Sequence, residues 1–363
     1  MALPPRSDLP RIPELEEEFE LVRPLGTGAS SHVLLARTRA QGGTVALKLL
    51  PPRLEHDADS AARLFREARM LRQLDHPSII RLLGTRRVGA SGLVLVLEHV
   101  RGPSLQDRIR SGGALPTREA ERIFRGVAEA LAYLDPRRVV HRDLKPGNIY
   151  LDDVEGRVVL ADFGIARNWD ADAGLDLAEA THGTPAYMSP EQVAGRPLDG
   201  RSDLFSLGLV GLEMLAGGLP WSGRSPSALL GRGDLLDSLP PAARLRPGLP
   251  PGLARAIDGC LRENPDDRWA RASAVLKVLD DPTPLTEEER GPPPDRRASL
   301  PASSEPSRAL EGRSPGDPGL PRSGDRAWED APTVRYVPGA PSPERPPELP
   351  AELPPEGPPG EPA

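Results

Sequence analysis

The sequence predicts an α+β chain in two lobes, a small strand-rich front with one main helix and a larger helical back, followed by a disordered Pro-rich tail. Three observations carry that expectation. Strand-like runs crowd the first hundred residues, helical periodicity dominates after residue 115, and composition changes sharply near residue 282. The expected boundaries are a loose leader over 1–18, a folded domain over 19–280 divided near residue 100, and a tail over 281–363.

In the front lobe, FELVRPL (19–25), HVLLAR (32–37), TVALKLL (44–50) and GLVLVLEH (92–99) read as strands. A helix interrupts them at roughly 60–74, where Leu64, Ala68, Leu71 and Leu74 form an apolar stripe at helical spacing. The back lobe reads as helices over Arg118–Leu134, Ser202–Ala216, Leu253–Leu261 and Ala272–Leu279, with small strands after Asn148 and before Asp162. About half of the 45 prolines fall in the final segment, which ends PELPAELPPEGPPGEPA. Such a segment buries too little apolar surface to offset its ordering entropy.

Composition excludes several classes. A formal net charge of -7 argues against broad nucleic-acid binding through a basic surface. A single cysteine, Cys260, rules out an intrachain disulfide and any multi-cysteine metal site, and reads as a buried small apolar residue on a late helix. The longest apolar run, LVLVL at 93–97, is cut by Glu98 and is far too short for a membrane span. With no secretory signal at the start, the expected location is the cytoplasm.

GTGASSHV at 26–33 lies between two strand-like runs, and Gly26 and Gly28 allow the backbone to approach phosphates closely. On its strand, Lys48 shares a face with Ala46 and Leu50 and has apolar neighbours on both sides, so it points inward. Glu67 lies on or beside the apolar stripe of its helix, a costly place for a carboxylate without a cation. HRDLKPGN at 141–148 and DFG at 162–164 then gather Asp143, Lys145, Asn148 and Asp162. They amount to a base, a cation and two oxygen ligands, the set needed to handle a nucleotide phosphate.

These motifs, in this order, resemble the bacterial eukaryotic-type (Hanks-type) serine/threonine protein kinases over about 19–280. The resemblance implies ATP and Mg²⁺ as cofactors and protein Ser/Thr hydroxyls as acceptors. It makes Asp143 the catalytic base, has Lys145 neutralise the transferred phosphoryl group, and makes Asn148 and Asp162 the metal ligands. It pairs Lys48 with Glu67 to hold the α- and β-phosphates, and sets Thr184 beside Asp143 and Lys145. ATP would lie under the loop from Leu25 through Gly26, Thr27, Gly28, Ala29, Ser30, Ser31 and His32 to Val33. Ala46 and Val33 would cover the adenine, Leu97 would stand as gatekeeper, and Glu98 and Val100 would offer hinge backbone groups. Tyr150 replaces the leucine more common at the adenine floor, and Ser31 replaces a third glycine. Glu191 would pair with Arg268, and Asp203 would brace the HRD backbone. Ser189, in place of the commoner alanine of A-P-E, is expected to matter little.

Between DFG and GTPAYM, Thr181 is the one Ser or Thr available as an activation-loop phosphosite, with Arg142 as the cation to dock its phosphate. In the tail, RRASL (296–300) places Ser299 after two arginines, and WEDAPTVRYV sets Trp328, Thr333 and Tyr336 in a polar segment. Either motif could serve autophosphorylation or partner docking. The alternative function is a pseudokinase-like nucleotide-binding scaffold that recruits partners through its tail. It predicts loss of Lys48, Asp143, Asn148 or Asp162, and all four are present.

Overall fold

The computed structural model describes residues 10, 12–27, 31–50, 57–89, 92–164, 185–219 and 239–286. The front lobe is a five-stranded antiparallel sheet of β1 (Phe19–Thr27), β2 (His32–Thr38), β3 (Thr44–Leu49), β4 (Leu82–Val88) and β5 (Gly92–Glu98), ordered β1-β2-β3-β5-β4. Four of these strands match the sequence expectation. The fifth, LLGTRRV, is an edge strand whose arginines hide its alternation, as is usual where a sheet edge meets solvent.

Strand alternation sorts side chains onto two faces. One face carries Val33, Leu35, Ala46, Leu95 and Leu97, which join Leu64, Ala68 and Leu71 of the helix α2 (Ala58–Leu71) in the main core. Asp57 starts that helix by accepting from Ser60 N at 2.9 Å. The other face carries Leu34, Leu47, Leu49, Val94 and Val96 in a separate cluster.

Residues 12–18, expected as part of a loose leader, pack against that second cluster. Ile12, Leu15 and Phe19 are buried there, and a short helix α1 (Pro13–Glu16) crosses it. Glu14 accepts from Gly89 N at 3.0 Å, and Glu18 forms a two-bond ion pair with Arg86, so the segment clips onto β4. Its apolar residues number too few to register as an element in sequence, yet each fully buried one contributes about 1.5–3 kcal/mol.

The back lobe comprises α3 (Leu105–Gly112), α4 (Thr117–Leu134), the hairpin β6 (Ile149–Leu151) and β7 (Val158–Leu160), α5 (Pro190–Val193), α6 (Gly200–Ala216), α7 (Ala242–Leu245), α8 (Pro251–Cys260) and α9 (Ala272–Leu279). Sequence periodicity starts the helices too late: α3 begins at 105, where Ser104 caps it by accepting from Asp107 N at 3.1 Å. α6 is buried on nearly every side, from Ser202 to Leu215, and so forms the axis of the lobe. It ends at Gly217, whose φ of +83° suits a left-handed helix cap. Cys260 is fully buried at the end of α8. Between the lobes, Ile80 N donates to Leu160 O and Leu160 N to Ser78 O, both at 2.9 Å, which ties the chain after α2 to β7. No helix among the described residues is long and apolar enough to cross a membrane.

Candidate active site

The place of Lys48 on β3 sets the geometry of the site. Lys48 lies on the same strand face as Ala46, so its stem runs along the main core and its ammonium emerges between the lobes. There it donates to Glu67 Oε1 at 2.6 Å and to Asp162 Oδ1 at 2.9 Å. Side-chain exposures of 8% for Lys48 and 9% for Glu67 make this a buried pair. Burial opposes the lysine's charge, but Asp162 and Glu67 outweigh it and hold the ammonium above its ordinary range. Two carboxylates on one cation also leave a net negative charge, which suits a site that takes further cations.

The catalytic loop is fixed from beneath by α6. Asp203 accepts from His141 N at 2.6 Å and from Arg142 N at 2.9 Å, which holds Arg142 at a φ of +68°. Burial pushes the Asp203 carboxyl up to about 7, against the pull of those two amides. His141 is also fully buried. Its Nδ1 accepts from Asp143 N at 3.3 Å, so the tautomer must carry its proton on Nε2, which donates to Ala161 O at 3.0 Å. Burial lowers this imidazole to about 4, and its ring packs against Phe163 at 4.6 Å between centroids.

Above that base, Lys145 Nζ reaches Asp143 Oδ2 at 2.8 Å. Asn148 Nδ2 donates to Asp143 O at 2.8 Å and to Asp143 Oδ2 at 3.1 Å. These contacts settle the amide orientation and leave Oδ1 as the acceptor free to face a cation. Asp162 sits at a φ of +56°, an unusual conformation for a residue with a side chain, of the sort found where geometry serves a site. Two residues on, Gly164 leaves little room for a side chain: a Cβ there would stand 3.0 Å from Asp143 Cβ and 3.1 Å from His141 O. Lys48, Glu67, Asp143, Lys145, Asn148 and Asp162 are thus brought into one linked set.

The apolar residues assigned to adenine converge too. Leu25, Val33, Ala46, Leu97, Val100 and Tyr150 are all buried in the main core, and Leu97 pairs with Ala46 across β5 and β3. Tyr150, on β6, bridges to Ser104. The Glu98 side chain turns away into the fold, accepting from Arg81 N at 3.0 Å and Arg157 Nη2 at 3.1 Å. Gly26 and Thr27 end β1, where Thr27 pairs with His32, and Ser31 immediately precedes β2. Gly28, Ala29, Ser30, Thr181 and Thr184 lie outside the described residues.

Below the catalytic loop, Glu191 and Arg268 form a bidentate pair at 2.7 and 2.8 Å. Sequence reasoning gave little weight to Ser189, and here the structure differs. Ser189 and Gln192 form a reciprocal capping box on α5, and Gln192 Nε2 donates to Arg142 O at 2.9 Å, linking this cap to the catalytic loop. The S-P-E-Q spacing carried that signal. His141 and the Tyr187 hydroxyl, which donates to Glu213 Oε2 at 2.5 Å, also went unread. Both sit inside runs already singled out, HRDLKPGN and GTPAYM, but their roles arise from partners elsewhere in the fold.

Chemically, the set offers a carboxylate acceptor, two cations and hard oxygen donors in one place, which fits phosphate chemistry. Comparison with known proteins agrees. The family model described as the protein kinase domain matches residues 19–279. A probable serine/threonine-protein kinase PknB of Bifidobacterium longum is 35% identical over 264 residues, covering 70% of this chain and 38% of that protein. The serine/threonine-protein kinase pkn2 of Myxococcus xanthus is 38% identical over 222 residues, covering 60% and 26%. PkaA of Streptomyces coelicolor is 36% identical over 266 residues, covering 69% and 47%. The chain therefore spans less than half the length of these curated relatives. The family match covers most of the chain, which belongs to the protein kinase domain family.

Proposed function

We propose that the chain is a serine/threonine protein kinase that uses ATP and Mg²⁺. One observation carries the proposal: Lys48, Asp162, Asn148, Asp143 and Lys145 form a continuous hydrogen-bonded set. In the reaction, a protein Ser or Thr hydroxyl attacks the γ-phosphorus, the bond to the β-phosphate oxygen breaks, and ADP leaves. Asp143 takes the hydroxyl proton, and Lys145 offsets charge on the phosphoryl group in transit. Lys48, steadied by Glu67, holds the α- and β-phosphates.

Among the described residues no group of three or more His, Cys, Asp or Glu side chains could hold a metal by itself. Magnesium needs less, because it keeps waters and phosphate oxygens as ligands. Asn148 Oδ1 and Asp162 fit as its protein ligands, and the ion when bound neutralises phosphate charge. The buried thiol of Cys260 suits a reducing compartment, and a cytoplasmic location belongs to the same proposal. So does autophosphorylation at Thr181, with Arg142 as the cation that receives the phosphate, and so do Ser/Thr proteins as substrates.

The test is phosphoryl transfer by purified protein with ATP and Mg²⁺, with sites mapped by mass spectrometry. Asp143→Asn should lower transfer by about 10²–10⁴-fold, the usual contribution of a positioned base. Undiminished transfer in that variant would overturn the assignment. ATP binding without any transfer by the wild type would favour the scaffold reading.

A further inference from the structure

The outer face of α2 has a composition that catalysis does not explain. Phe65 is 40% exposed and, with Val154, is one of two large apolar side chains so exposed among the described residues. Arg66, Arg69 and Arg72 are exposed beside it. On a helix, positions three and four apart are neighbours, so Phe65 adjoins Arg69, while Arg69 adjoins both Arg66 and Arg72. None of these three arginines makes an ion pair among the described residues, whereas Arg63 on the same helix lies 3.7 Å from Asp57. An exposed aromatic ring beside Arg69, with Arg66 and Arg72 on the same exposed face, suits an aromatic, acidic occupant.

We propose that the tail segment Trp328-Glu329-Asp330 docks on this face of α2. Within 287–363 the aromatics are Trp328 and Tyr336, and Trp328 alone is followed by two acids. Trp328 packs against Phe65, and Glu329 and Asp330 meet Arg66, Arg69 and Arg72. Reach is sufficient. About 40 residues separate Thr286 from Trp328, giving an r.m.s. span of roughly 35 Å, comparable with the diameter of a domain whose radius of gyration is about 18 Å. The tether sets an effective concentration near millimolar, so modest contacts suffice.

Glu67 lies two residues from Phe65 on the same helix and faces inward to Lys48, so the docking face is opposite the Lys48–Glu67 contact. The docking itself does not depend on phosphoryl transfer, so it is testable even in the Asp143→Asn protein.

The experiment uses the full chain carrying Ala62→Cys on the exposed face of α2 and Ala331→Cys in the tail. The natural thiol, Cys260, is buried and pushed up by that burial, so it stays silent. Mild oxidation followed by non-reducing electrophoresis should show a disulfide within one chain. Adding Arg69→Glu and Arg72→Glu should slow its formation about tenfold, equivalent to about 1.4 kcal/mol of docking free energy, and Glu329→Arg with Asp330→Arg should restore the rate. Trp328→Ala, which leaves the folded domain untouched, should slow it likewise. A rate indifferent to charge reversal and to Trp328→Ala overturns the proposal. A disulfide joining two chains also overturns it, because the occupant is then a second copy.

Discussion

Replacing Arg268 by alanine should be the most damaging single change outside the catalytic set. Its side chain is 0% exposed, and every one of its N–H groups has an acceptor. Nη1 donates to Glu191 Oε1 at 2.7 Å and Arg201 O at 3.0 Å, Nη2 to Glu191 Oε2 and Glu263 O at 2.8 Å, and Nε to Arg262 O at 2.7 Å. The guanidinium also lies over Phe205, 4.8 Å from the ring centroid. Removing it strands the Glu191 carboxylate with Ser202 as its remaining side-chain donor. Breaking a buried ion pair by deleting one partner costs about 3–5 kcal/mol. For a domain of this size each kcal/mol shifts Tm by about 2–4 °C, so the expected drop is roughly 6–20 °C. Thermal melting by circular dichroism measures it. The pH dependence follows. Burial pushes Glu191 upward, but Arg268 and Ser202 hold it down at about 2, below its ordinary 4.5. A depressed acid contributes stability above pH 4.5 and loses it as pH falls through about 2, so the penalty of Arg268→Ala should shrink over that window. The double change Arg268→Met with Glu191→Leu should be milder than Arg268→Ala, since no charge is orphaned. A Tm drop under about 3 °C, or a double variant no better than the single one, would refute this account.

Three further outcomes are expected. Glu67→Gln should lower kcat/KM for ATP by about 10–100-fold, the kinetic equivalent of losing a charge-assisted hydrogen bond worth about 1.5–3 kcal/mol, and steady-state assays over ATP concentration decide it. His141 should remain neutral with its proton on Nε2 down to about pH 4, visible by imidazole NMR; a titration midpoint near 6.5 would contradict its burial. Because its folded pKa lies below the ordinary 6.5, its contribution is complete above pH 6.5 and declines as pH falls toward 4. Ser189→Ala should cost about 1 kcal/mol through loss of the capping box, read as a fall of about 2–4 °C in Tm, whereas an unchanged melt would leave that cap without energetic weight.

Much of the frame was legible because the relevant signals are local. Lys48 announced its inward direction through the alternation of Val45, Ala46 and Leu47, and Glu67 through its place between Leu64 and Leu71. β4 was not legible, since Thr85, Arg86 and Arg87 answer to an edge rather than to a core. The leader failed for a different reason. Ile12 and Leu15 have no periodicity of their own, and their burial depends on a sheet face assembled by residues far along the chain. His141 belongs to the same class: its importance arises from Asp203, Ala161 and Phe163, which sequence spacing does not connect to it. Ser189 was legible in principle, but family expectation favoured an alanine there and drew attention away from its capping box.

Lys48 carries one more consequence. Its two acceptors ride on separate pieces of the molecule, Glu67 on the front-lobe helix and Asp162, 114 residues away in sequence, beside the back-lobe hairpin. A single ammonium can satisfy both only when the two pieces stand in register. Displacing either one removes a contact from the same nitrogen, so its hydrogen bonding works as a logical conjunction. An isotope-labelled Lys48 would thus read the alignment of both lobes from one resonance.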